Sequence, residues 1–214
     1  MEIFENVHLI KNHFVNLFLI VDAGYLTLID TGISGNEKRI LNYIKNLGFK
    51  PEAVNRIIIT HADGDHYGSL ARLQKVISAE TLANQVEAEA IRTGSSSRKL
   101  NPVGIEKLLY NMVSPLVKSQ PARVDQYLLH GQVFPILGGL QVINTPGHTP
   151  GHISLYSPST RILFAGDSIN VAGRKLVPSS GANTWDLHQA EQSFQIQVKL
   201  DPVIVCAGHG FWKK

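Results

Sequence analysis

The chain has 214 residues, 43% of them hydrophobic, enough to bury the core of one domain, and a single domain over 1–214 is the expectation. Its formal net charge is only +3 and the basic residues are scattered, so nothing gathers into the electrostatic footprint of a nucleic-acid binder. The one cysteine, Cys206, excludes an internal disulfide; no apolar run approaches the roughly 20 residues that span a bilayer; the start lacks a basic-then-apolar secretory pattern, and the chain reads as cytoplasmic.

Strand-like runs over 15–21 and 25–29 flank an Asp22-Ala23-Gly24 turn signal, which predicts a hairpin. Asn36 is placed to cap a helix running to Leu47, because Ile40, Leu41, Ile44 and Leu47 recur at helical spacing and Gly48 follows as a stop. A strand over 56–60 comes next, and its Ile57-Ile58-Ile59 centre is apolar on both faces, as a strand buried between layers requires. A helix over 68–74 follows it.

From 80 to 118 the pattern is mostly helical, a helical insertion broken by a Gly/Ser/basic loop over 93–101. Its Arg92, Arg98, Lys99 and Lys107 suit either an anionic substrate or a solvated face, and Leu108, Leu109, Met112 and Leu116 could bury a dimer contact. Beyond 126 the signals turn to β again, through Val142-Ile143, Ser154-Leu155-Tyr156 and Ile162-Leu163-Phe164. A final amphipathic helix covers 186–200, with Thr184 as its expected cap. This order of elements fits a mixed αβ sandwich better than a regularly alternating parallel sheet.

Thr60-His61-Ala62-Asp63-Gly64-Asp65-His66 sets four candidate metal ligands within six residues, directly after the buried strand. Solvated histidines beside helix-capping aspartates would be the plain alternative, but three later segments weigh against it: Pro146-Gly147-His148, Ala165-Gly166-Asp167 and Gly208-His209-Gly210. Each follows an apolar run, and glycine beside the histidine or aspartate lets the backbone turn closely, as a site gathered at one sheet edge requires. His8, His13, His130 and His188 stand outside any motif and read as surface or satisfied core residues. Tyr67 reads as packing at a helix start or as a substrate contact, and Cys206 as a small buried hydrophobe.

On these residues the sequence resembles the metallo-β-lactamase superfamily, whose pattern is a His-x-His-x-Asp-His loop, then a distant His, Asp and His. The 145–152 run is similar to the glyoxalase II type. The resemblance implies an α+β fold, an αββα four-layer sandwich with metals at one edge. It implies His61, His148 and Asp167 around a first metal, and Asp65, His66, His209 and a bridging Asp167 around a second. Asp63 stands where the pattern has its second histidine; a carboxylate there coordinates with a shorter reach or leaves the first site weakened.

The implied cofactors are two divalent ions, zinc first, with iron and manganese as alternatives. The implied activity is hydrolysis of a small ester, thioester, lactone or related substrate, with Asp65 orienting the nucleophile or serving only as a ligand. The alternatives are a di-iron oxidoreductase, since the flavodiiron branch also carries a carboxylate at this position, and a non-catalytic metal-binding or interaction protein. Asp30 and His152 are candidates to orient metal-bound imidazoles, or simply make buried turn hydrogen bonds. The expected partner is a small-molecule substrate, with a homodimer left open and neither nucleic acid nor membrane involved.

Overall fold

The computed structural model describes residues 1–12, 14–98 and 119–214. The first four strands, β1 (Glu2–Phe4), β2 (Val7–Lys11), β3 (Asn16–Asp22) and β4 (Tyr25–Ile29), pair antiparallel in sequence order. The hairpin expected over 15–29 is β3–β4, which turns at Ala23 and Gly24 with φ of +47° and +84°. Parallel strands β5 (Val54–Ile58), β6 (Glu80–Ala83) and β7 (Gln126–Tyr127) extend this into a seven-stranded sheet. Helices α1 (Glu37–Asn46), α2 (Gly64–Tyr67), α3 (Leu70–Leu73) and α4 (Gln85–Thr93) supply the crossovers.

A second, six-stranded sheet has the order β15-β14-β11-β10-β9-β8. Its strands are β8 (Val133–Phe134), β9 (Leu140–Asn144), β10 (Ile153–Ser157), β11 (Ile162–Gly166), β14 (Ile204–Ala207) and β15 (Gly210–Lys213). Between β11 and β14 lie a small ribbon, β12 (Ile169–Ala172) with β13 (Lys175–Pro178), and the helix α5 (Leu187–Lys199).

Strand periodicity builds the layers, because successive side chains point to opposite faces. In β3, Leu17 and Leu19 meet Ile40 and Ile44 of α1 and Leu70 and Leu73 of α3, while Phe18 and Ile20 face the second sheet. In β11, Ile162 and Phe164 face the first sheet, while Leu163 and Ala165 turn outward to Phe194 and Leu200 at α5. Both faces of these central strands are therefore apolar and covered, which gives the αββα order. Each fully buried Ile, Leu or Phe in these interfaces contributes about 1.5–3 kcal/mol relative to an exposed one. Among the described residues no helix is long and apolar enough to cross a membrane.

The sheet edge is tied shut by Asn16, the first residue of β3. Its amide donates to Gly208 O at 2.7 Å, and its Nδ2 donates to Ala207 O and Gly210 O at 3.1 and 3.0 Å.

Several local expectations shift. The strand expected over 56–60 is β5, two residues earlier, so Thr60 already belongs to the loop. The helix expected over 68–74 is two short turns, and Asp65 and His66 sit inside the first of them. Glu80–Ala83, expected as helix, is a strand: its apolar Leu82 and Ala83 face opposite cores. Residues 99–118, with Lys99, Lys107 and the expected dimer residues, lie outside the described residues, as does His13. Asp186 rather than Thr184 caps α5, accepting from the amides of His188 and Gln189. Asn36 occupies the cap position of α1, but its side chain accepts from Asn12 instead of capping.

Candidate metal centre

Strands β4 and β5 run parallel and end side by side. At the end of β4, Asp30 turns with φ +59°, a left-handed conformation that aspartate tolerates better than most side chains. This aims its buried carboxylate at the end of β5. Oδ1 accepts from the Thr60 amide, and Oδ2 meets the Thr60 hydroxyl and His66 Nδ1, all at 2.8 Å. An ionised carboxylate only accepts, so His66 Nδ1 is a donor and Nε2 is the atom that faces the centre. Thr60 spends its hydroxyl proton on Asp30 and so accepts from His61 Nδ1 at 3.0 Å, which turns His61 Nε2 inward as well. Asp30→Asn is accordingly expected to lower metal affinity by about 10- to 100-fold, read by competition with a chromophoric chelator. An unchanged affinity would reduce Asp30 to a turn hydrogen bond.

The other residues arrive from the second sheet. His148 follows β9, and its Nδ1 lies 2.9 Å from Ser179 Oγ. Asp167 follows β11 through Gly166, whose φ of +52° suits glycine. The Asp167 amide donates to His152 Nε2 at 3.0 Å, and His152 Nδ1 donates to Thr145 Oγ1 at 2.8 Å. Burial first, then the neighbouring charges of His61 and His148, push His152 well below the ordinary histidine range, so it stays neutral. His152 thus fixes the backbone of a candidate ligand rather than a ring. His209 sits in the β14–β15 turn beside Gly208, where a Cβ would collide with Asp167 Oδ1 and crowd His66.

All seven sequence-derived residues come together at this edge. Asp167 is central: Oδ1 lies 3.3 Å from His66 Nε2, while Oδ2 lies 3.2 Å from His209 Nε2 and 3.6 Å from His148 Nε2. Asp63 Oδ2 is 3.1 Å from His148 Nε2 and 3.5 Å from His61 Nε2, and Asp65 Oδ2 is 3.3 Å from His209 Nε2. His61 Nε2, His66 Nε2 and Asp167 Oδ1 are buried and hydrogen-bond to nothing among the described residues. A buried polar atom left so costs about 1–3 kcal/mol. One ligand atom from each of His61, His66 and Asp167 lies within 4.8 Å of the others, and the same holds for His61, Asp63 and His148 and for Asp65, His66 and His209. Convergent imidazole nitrogens and carboxylate oxygens without partners fit a divalent cation such as zinc, iron or manganese.

Burial pushes the Asp167 carboxyl up, but the His66 charge and the contact with His209 outweigh it and hold it well below the usual range. Burial likewise raises Asp63, but the adjoining His148 and His61 imidazoles and the Arg98 charge outweigh it and hold the carboxyl well below the usual range. Asp65 is lowered too, against its burial, by a hydrogen bond from His209 and the His66 charge. Conversely, burial lowers His66, but the charges of Asp167 and Asp30 raise it well above 6.5, and hydrogen bonds to Asp167 and Asp65 push His209 up to about 10.

A proton on His209 and a cation compete for the same nitrogen. Zinc uptake at about pH 7 is therefore expected to release protons and to tighten as pH rises toward about 10. The sign reverses for the stability of chelator-treated protein. A raised His209 stabilises fully below its unfolded value of 6.5, and that contribution is lost as pH climbs through about 10. Calorimetric titration in buffers of different ionisation enthalpy measures the released protons, and finding none at pH 7 would contradict the ion pairing.

Two contributors escaped sequence reasoning. Glu87 of α4 is fully buried and accepts from the Ala62 amide at 2.7 Å, the Gly151 amide at 2.8 Å, Thr149 Oγ1 at 2.9 Å and Ser97 Oγ at 2.8 Å. It joins the loop carrying His61 and Asp63 to the one carrying His148. The signal was a glutamate four residues before Ile91, on the buried stripe of its helix. Arg98, for which the sequence left an anionic substrate or a solvated face open, instead reaches Asp63 and His148. Arg92 stays at the surface, bonded to Tyr127 Oη and Val124 O. Tyr67 packs in the core with its hydroxyl on Ser95 O, and Cys206 is buried, which raises its thiol well above 9.0.

Relatives share this frame. A Bacillus subtilis protein, YobT, is 29% identical over 205 residues, covering 92% of this chain and 83% of its own length. The B. subtilis probable metallo-hydrolase YybB is 26% identical over 196 residues, covering 92% and 80%. A Cronobacter sakazakii metallo-β-lactamase with a HARLDQ motif has the same fold, with a TM-score of 0.75 at 23% identity over 98% of this chain and 77% of that one. The family model of the metallo-beta-lactamase superfamily matches residues 10–209, and the chain belongs to that superfamily.

Proposed function

We propose that this chain is a metal-dependent hydrolase of small esters, thioesters, lactones or related acyl compounds. The observation that carries the reading is the burial of His61 Nε2, His66 Nε2 and Asp167 Oδ1 without partners at the point where the seven side chains meet. Its B. subtilis relative described as a probable metallo-hydrolase supports the same class. His61, Asp63, His148 and Asp167 would hold one cation and Asp65, His66, His209 and Asp167 a second, zinc being the first candidate. Cations bound there supply an activated water at neutral pH and polarise the scissile carbonyl.

The chain's own groups divide the remaining work. Asp65 is half-buried, its side chain 34% accessible, so its carboxylate can meet both solvent and substrate. Its carboxylate, held below the usual range, orients the attacking water and receives its proton. Asp30 and Thr60 keep the imidazoles from turning, and His152 keeps Asp167 in place.

The test is a panel of ester, thioester and lactone substrates with protein whose metal content is known by elemental mass spectrometry. Turnover should vanish on chelation and return with zinc. Turnover indifferent to chelators, or none at full metal loading, would refute the proposal. A second reading, a di-iron redox centre, is favoured by the oxygen donor of Asp63; two irons per chain and a visible band that bleaches on reduction would replace the first reading with it.

A further inference from the structure

Arg98 lies across one of the two candidate cation positions. Its side chain is buried, 9% exposed, with Nη2 2.5 Å from Asp63 Oδ2 and Nη1 3.1 Å from His148 Nε2. Nη1 also reaches His148 O at 3.5 Å and the carbonyl of Asn183. Asp63 Oδ2 and His148 Nε2 are 3.1 Å apart, so one planar guanidinium spans both acceptors.

These residues form, with His61, a group of metal-ligand geometry. An imidazole whose Nδ1 proton goes to Ser179 has one lone pair, on Nε2. That lone pair accepts from Arg98 or binds a cation, never both. We infer that Arg98 is a resident competitor for the first metal position, so that the two positions differ in affinity and the one at Asp65, His66, His209 and Asp167 fills first. The apparent affinity of the first position equals its intrinsic affinity scaled by the fraction of molecules with Arg98 withdrawn. Asp63, standing where a histidine would have offered the guanidinium no charge, is the matching half of the device.

The inference rests on the proposal that the site binds metal, and the test separates the two. Chelator-stripped protein is titrated with zinc alone against a chromophoric chelator, which reads stoichiometry and both affinities without reference to activity. Wild type should show two steps separated by at least about tenfold. Arg98→Met, which keeps length but not charge, should tighten the weaker step on the order of tenfold and leave the tighter one within about twofold. Arg98→Lys keeps the charge but offers one nitrogen in place of a fork, and should tighten the weaker step less; it carries the test if circular dichroism shows the Met variant unfolded. Coincident steps in wild type, or a weaker step unmoved or loosened in the variant that folds, overturn the inference alone. No zinc bound at either position overturns it together with the functional proposal.

Discussion

Asp167→Ala should strip the protein of tightly bound metal and lower kcat/KM by about 10³-fold or more, the equivalent of several kcal/mol of lost charge stabilisation. Its carboxylate faces both halves of the centre: one oxygen looks at His66, and the other at His209 and His148. Its loss also leaves the buried His66 imidazole without its largest counter-charge, so His66 falls toward neutrality and chelator-treated variant loses stability near neutral pH. Elemental analysis after dialysis and a kinetic run on any substrate of the panel read the result together. Retained metal with wild-type turnover would remove Asp167 from the centre.

Glu87→Ala is expected to be the most destabilising single change outside the candidate ligands. Without the carboxylate, the Ala62 amide, the Gly151 amide and Thr149 Oγ1 lose their acceptor in a buried setting. At roughly 1–3 kcal/mol per orphaned group and with partial relaxation, about 4 kcal/mol goes, a fall in Tm of roughly 10 °C for a chain of this size. Ala62 separates His61 from Asp63, so metal affinity should fall with it. Glu87→Gln, which keeps one acceptor oxygen, should lie between. Thermal unfolding of both variants with chelator present isolates the fold from the metal; a Tm within about 2 °C of wild type would show that water replaces the carboxylate.

What could be read from the sequence followed the physics of each element. β3, β4, β10 and β11 were legible because period-2 alternation with apolar residues on both faces has no competing helical reading over so few residues. The candidate ligands were legible because they gather shortly past such runs, with His148, Asp167 and His209 each next to a glycine. Gln85–Thr93 is helical as expected, but the start of the region misled because Glu80–Ala83 offers only Leu82 and Ala83 as apolar evidence, and its strand character comes from pairing with β5 and β7. Glu87 and Arg98 escaped for a different reason: a charge on a helix or in a Ser-rich loop is usually solvated, and only tertiary packing shows that these two are turned inward. Asp186 outcompeted Thr184 as the α5 cap because the helix begins later than its amphipathic pattern alone locates.

The three hydrogen bonds of Asn16 carry a consequence for the cost of ion capture. Side chains up to residue 66 come from one half of the sandwich and those from 148 onward from the other, so a cation here is a cross-link between halves. Because Asn16 already clasps Gly208, Ala207 and Gly210, much of the entropy of bringing the halves together is lost during folding rather than on ion capture. The ion's binding energy is then free to appear as resistance to unfolding, about 4 kcal/mol when free metal exceeds Kd a thousandfold. The durability of the molecule becomes a property of its surroundings, rising and falling with the supply of metal.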